Sequence, residues 1–105
     1  MVAPVIAIDA MGGDFGPHCI VPACVDSLAD SPLLRLILVG QHDILEQLVA
    51  QYPRIDRTRL LIRPAADIVA MDARPAQVLR GSADSSMRQA LELVRRGEAQ
   101  ACVSA

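Results

Sequence analysis

The chain has 105 residues, 12 acidic against 10 basic, for a formal charge of −2 with neutral histidines. Every basic residue is arginine, so neither a lysine Schiff base nor a P-loop can be built here. An apolar content of 52% with a mean hydropathy of +0.34 excludes a solvated, disordered chain, and a pI near 5.5 with only Phe15 and Tyr52 aromatic excludes non-specific nucleic-acid binding.

Charges interrupt every apolar run before it reaches the length of a membrane-spanning helix, and the start lacks the basic flank of a secretory signal. Cys19, Cys24 and Cys102 are odd in number and show neither C-x-x-C nor paired metal-ligand spacing, so no disulfide framework and no metal site is expected. A reducing cytoplasm fits that usage best. His18 beside Cys19 does not make a catalytic pair, because adjacent helical residues point about 100° apart; cysteine is more often a small core hydrophobe.

In chain order, Val5 to Asp9 reads as a buried strand, and Ala10 to Gly16 holds three glycines that cannot continue a ladder well. Pro17 opens a helix with body about Cys19 to Ala29, in which Ile20, Val21, Val25 and Leu28 form a stripe and Pro22 fits only within the first turn. Leu34 to Val39 is the second strand, ended by Gly40. Asp43 is then expected to cap a helix, with Glu46 completing a capping box and Ile44, Leu45, Leu48 and Val49 facing the core. Arg54 to Arg59 is a charged turn, and Leu60 to Ile62 a third strand halted by Pro64. Ile68 to Met71 either extends the sheet or crosses its end, and Asp72 to Gly81 is a helical turn followed by a loop.

From Ser85 the spacing of Met87, Ala90, Leu91 and Val94 predicts an amphipathic helix, with Arg88, Glu92, Arg95 and Arg96 opposite and Gly97 as its C-cap. Ala101 to Ser104 is the fourth strand. The alternation of strands and helices argues for a mainly parallel α/β sheet covered on both faces. In such sheets the ligand lies past the carboxyl ends of the strands, and the chain stops where such a loop should follow Ser104. It therefore reads as a fragment, a single α/β portion over residues 1–105 that is truncated after its fourth strand.

Two places carry the candidate chemistry. Asp9-Ala10-Met11-Gly12-Gly13-Asp14 is a strand-to-loop junction where glycines let backbone amides approach a ligand, but it lacks the G-x-G-x-x-G order, and Asp14 would repel a pyrophosphate. A turn pinned by glycines, with Asp9 or Asp14 accepting backbone amides, explains it equally well. Ser85-Ser86 opens the clearest helix, where free amides and the helix dipole favour an anion; ordinary capping by serine or Asp84 is the more economical reading. Arg80 is close enough in sequence to neutralise phosphate. Arg54, Arg57, Arg59 and Arg63 form a basic cluster, read as a solvated turn in preference to a contact with an acidic carrier or lipid heads.

Ile6-Ala7-Ile8-Asp9-Ala10-Met11-Gly12-Gly13-Asp14-Phe15-Gly16-Pro17 resembles the opening signature of the bacterial phosphate acyltransferases of fatty acid and phospholipid synthesis. Leu38-Val39-Gly40, Asp72-Ala73-Arg74-Pro75, Ser85-Ser86-Met87 and Ala101-Cys102-Val103-Ser104-Ala105 resemble that family's later blocks, in order. The resemblance implies a Rossmann-like three-layer α/β/α fold similar to the isopropylmalate dehydrogenase and phosphate acetyltransferase group. It further implies transfer of a fatty acyl group from acyl carrier protein to inorganic phosphate, with acyl phosphate as product and no cofactor. The partners implied are a homodimeric copy and a downstream membrane acyltransferase, in a cytoplasmic protein with peripheral membrane contact.

On that resemblance Asp9, Gly12, Gly13, Asp14, Arg80, Ser85, Ser86 and Ser104 are the candidate phosphate-binding residues, and the general base is unassigned. Many members carry basic residues just before the paired serines; here Ser82-Ala83 stands there, so Arg80 is the one cation this segment lends. The 105 residues alone are expected to be inactive. A non-catalytic α/β module binding a nucleotide or a carrier protein is the alternative.

Overall fold

The structure, a computed structural model, describes residues 4–12, 16–65 and 86–104. Its strands are β1 (Val5–Asp9), β2 (Arg35–Gly40), β3 (Leu60–Pro64) and β4 (Ala101–Ser104). Its helices are α1 (Pro17–Asp30), α2 (His42–Val49) and α3 (residues 86–95). The four strands form one parallel sheet in the order β3-β2-β1-β4. The chain thus steps outward from β1 to β2 and β3, then returns to the other side of β1 with β4. The predicted Ile68 to Met71 and Asp72 to Gly81 segments lie outside the described residues.

Strand parity sorts the core into two layers, because successive side chains point to opposite faces. Leu36 and Leu38 of β2 face α1 and α2, joining Val21, Cys24, Leu28, Leu45, Val49 and Leu60. Val5, Ala7, Ile37 and Val39 face the other way, against Ala90, Leu93 and Ala99. Helices therefore cover both faces, the three-layer arrangement that continuous apolar strands require.

Several local details differ from the sequence expectation. Helix α1 begins at Pro17 after Gly16 in the left-handed region (φ 56), which makes Pro22 its sixth residue rather than part of the first turn. Proline there removes the bond to the His18 carbonyl at a cost of about 3 kcal/mol; burial of Val21, Cys24 and Leu28 on the same helix offsets it. Helix α2 is capped by Gln41, with no side-chain capping bond, and Asp43 lies inside its first turn. The capping box does not form; Glu46 instead accepts from Arg57 Nη2 at 2.8 Å. Strand β3 continues through Pro64, because Ala65 N–H donates to Gly40 O and the alternation along the strand turns the missing Pro64 N–H away from β2.

The face of α3 is also rotated from the predicted stripe. Ser86, Ala90 and Leu93 are buried, whereas Met87 and Leu91 are 41% and 51% exposed. The buried face carries Leu93 and Ala90 together with a hydroxyl that has a partner in the sheet, as shown below. The end of α3 follows expectation: Gly97 (φ 80) donates to Val94 O and Glu98 N–H to Leu93 O, a Schellman cap.

The amino edge of the sheet is stapled by polar side chains. Gln100 Oε1 accepts from Val5 N–H at 2.7 Å while Gln100 N–H donates to Val5 O. Arg59 donates to Leu28 O, Ser31 O and Leu34 O, satisfying carbonyls at the end of α1 and the entry to β2. The Arg59→Ala variant is expected to lose about 1.5–3 kcal/mol of stability in urea denaturation, since it strands part-buried acceptors of a charged donor; a loss under about 0.5 kcal/mol would show the clamp to be incidental.

Burial pushes the Cys24 thiol up to about 11, while Cys19 on the same helix is exposed. Iodoacetamide at pH 8 is expected to alkylate Cys19 and leave Cys24 unmodified in the native protein, as peptide mapping would read. Modification of Cys24 at the rate of Cys19 would contradict the packing described.

Candidate functional site at the carboxyl edge

Asp9 ends the central strand β1 on the same parity as Val5 and Ala7, so its side chain points to the α3 side of the sheet. It is 2% exposed. A carboxylate so placed must be satisfied by donors or neutralise itself. Oδ1 accepts from Ser86 Oγ at 2.5 Å and from Met11 N–H at 3.1 Å, and Oδ2 accepts from Ser104 Oγ at 2.9 Å. Among the described residues no cation pairs with it. Its charge is met by hydroxyl and amide dipoles from three separate segments.

Each donor is where it is for a local reason. Ser104 is the register partner of Asp9 on β4, and paired residues of neighbouring parallel strands place their side chains on one face. Ser86 lies at the end of α3 nearest the strands' carboxyl edge, because α3 runs back toward β4, which starts beside Val5. It is fully buried and its hydroxyl is used by Asp9. Met11 is held by the tight return of the chain after β1, where Ala10 N–H still donates to Val39 O.

Beside this cluster, at the carboxyl ends of β2 and β3, lies a cavity of about 350 Å³ lined by Met11, Gly40, His42, Asp43, Pro64 and Ala65. A Cβ on Gly40 would approach Met11 Cγ and Sδ to 2.8 Å, so glycine there lets Met11 lie across the strand end. The sequence marks Gly40 as a strand terminator and as part of the Leu38-Val39-Gly40 block, and gives His42 no role. Both are reachable from the general rule that every strand-to-helix loop of a parallel sheet meets at this edge.

The strand order gives the cluster its meaning. Connections from β1 and β2 run to helices on one face, and β4 is reached through α3 on the other, so the gap between β1 and β4 is the topological switch point. Asp9 and Ser104 stand at the carboxyl ends of those two strands. Open α/β sheets bind ligands in that crevice.

Of the candidate residues, the fold brings Asp9, Ser86 and Ser104 into direct contact, with half-buried Gly12 three positions beyond Asp9. Gly13, Asp14, Arg80 and Ser85 lie outside the described residues. The backbone-amide reading of the loop holds in part, since Asp9 does accept the Met11 amide. The basic cluster does not form a patch: Arg57 pairs with Glu46, Arg63 with Glu98, and Arg59 is turned into backbone carbonyls. A cavity of about 490 Å³ between α1 and the α2–β3 loop is lined by Arg59 and Tyr52, at the opposite edge of the sheet from Asp9.

Residues 4–105 match the family described as "Fatty acid synthesis protein". The whole chain is 68% identical to a curated relative of Stutzerimonas stutzeri named "Phosphate acyltransferase", covering 30% of that protein. Relatives of the same name in Pseudomonas paraeruginosa and Pseudomonas aeruginosa are 60% and 59% identical over the whole chain, which covers 31% of each. The chain thus spans a little under a third of the length of the curated relatives it matches. With a family match from Pro4 onward and a parallel sheet carrying Asp9, Ser86 and Ser104 at its switch point, the chain belongs to the fatty acid synthesis protein family.

Proposed function

We propose that this chain is the N-terminal portion of an enzyme that moves a fatty acyl group from acyl carrier protein to inorganic phosphate, forming acyl phosphate for phospholipid synthesis. The observation that carries the reading is the Asp9, Ser86 and Ser104 cluster at the switch point, in a chain 68% identical over its whole length to a protein named "Phosphate acyltransferase". In the reaction, a phosphate oxygen attacks the thioester carbonyl carbon and the carbon–sulfur bond breaks. The thiolate then leaves and takes up a proton. Holding phosphate against the carbonyl supplies much of the rate, and fixed donors stabilise the oxyanion that develops.

Within this scheme Asp9 orients Ser86 and Ser104, and the Gly12 and Gly13 amides, Ser85, the Ser86 end of α3 and Arg80 are the candidate contacts to phosphate. Asp14 fixes the loop. The product pairs a long apolar chain with an anionic head, so a cytoplasmic homodimer making peripheral membrane contact, and handing the product to a membrane acyltransferase, is the setting that suits it.

Replacing the matching segment of the Pseudomonas aeruginosa relative with these 105 residues tests the reading. The hybrid is expected to form acyl phosphate from acyl carrier protein and phosphate within about ten-fold of the unaltered relative, and Ser86→Ala in it to lower kcat/KM by ten-fold or more, roughly the effect of misplacing a positioning group. A folded hybrid that releases no acyl phosphate would contradict the proposal.

A further inference from the structure

A hydroxyl has one proton, and once that proton is given to a carboxylate the oxygen can offer a ligand only its lone pairs. At the switch point Ser104 Oγ donates to Asp9 Oδ2 at 2.9 Å. Asp9 is buried and Ser104 stands at the carboxyl end of β4, at the switch point where open α/β sheets bind ligands, so the member of the pair that a solute meets is the serine oxygen, with a carboxylate directly behind it. A bare oxyanion placed there faces lone pairs and, through them, a negative charge that burial shields from salt. An oxyanion that keeps a proton meets the same oxygen with an O–H and makes a hydrogen bond instead.

Resting on the phosphate-transfer reading above, we propose that the Asp9–Ser104 pair determines specificity for the acceptor: it admits hydrogen phosphate and turns away sulfate. At neutral pH inorganic phosphate and arsenate each retain at least one O–H, whereas sulfate retains none. The three ions are otherwise close in shape, so groups that only donate would treat them nearly alike. Sites built around a substrate O–H discriminate strongly against analogues that lack it, because the protein acceptor is left unpaired. Asp9 acts here through Ser104 as a positioning residue, and Ser104 makes the contact.

Substituting Asp9→Asn reverses the polarity of the pair. The amide Nδ2 donates to Ser104 Oγ, which frees the serine proton to point outward and removes the buried charge. Ser104→Ala removes the hydroxyl and leaves Asp9 Oδ2, an acceptor of the same polarity, facing the solute, while Asp9 keeps its other two donors. Calorimetric titration of the chain and of the hybrid enzyme at pH 7 and constant ionic strength would compare phosphate, arsenate and sulfate. Phosphate and arsenate are expected to bind at least about ten-fold more tightly than sulfate. In Asp9→Asn the ratio is expected to fall to within about three-fold, whereas in Ser104→Ala it is expected to hold at about ten-fold or more.

A hybrid that makes acyl phosphate yet binds sulfate as tightly as arsenate overturns the specificity proposal and leaves the function standing. A preference for phosphate that survives in Asp9→Asn, or one lost in Ser104→Ala, does the same. Failure of the chain and the hybrid alike to bind phosphate or form acyl phosphate overturns the functional reading and this inference with it.

Discussion

A carboxylate at the end of a central strand, with almost no contact with water, is the constraint around which the carboxyl edge is organised. Desolvating Asp9 is unfavourable unless its oxygens are filled, and the fold fills them with Ser86, Ser104 and the Met11 amide. Those donors belong to a helix, an edge strand and the loop after β1. One side chain therefore fixes the relative positions of three segments that converge where a parallel sheet presents its loops. The same bonds set the phase of α3, because Ser86 can reach Asp9 only when its side of the helix faces the sheet.

The two edges of the sheet carry different kinds of interaction. At the amino edge, Gln100 exchanges bonds with the Val5 backbone, and Arg59 ties the end of α1 to the start of β2. These contacts satisfy backbone groups and turn three of the five Arg59 N–H donors into the protein. At the carboxyl edge the polar groups are side chains gathered on a side chain, next to a cavity bordered by Met11, Gly40 and His42. The layers between are apolar, with Leu38 and Leu45 on one face and Val39 and Leu93 on the other.

Much of this architecture is legible in the sequence because its strands are continuous apolar runs and its helices are bounded by Pro17, Gly40 and Gly97. Where periodicity failed, a tertiary contact had replaced it. Met87 and Leu91 fit an inward stripe as well as any pair of residues, but the face that is buried carries Ala90, Leu93 and the Ser86 hydroxyl, which bonds to a residue 77 positions earlier. Local rules place Pro22 within a first turn and let Pro64 halt its strand; one is held by the buried face of α1, the other by the parity of β3. The site was half visible. Asp9 stands out beside its glycines, and Ser86 at a helix start, but their contact, and the pairing of Asp9 with Ser104, follow from strand register and order. Neither can be read from a linear string.

The central claim is that Asp9 couples α3 to β1, and a double-mutant cycle tests it most directly. Urea denaturation of the chain carrying Asp9→Asn, Ser86→Ala and both would give the interaction energy between the two positions. A coupling of about 1 kcal/mol or more is predicted for a buried bond to a carboxylate. Additive losses, with coupling under about 0.3 kcal/mol, would show that the two residues do not support each other and would contradict the account.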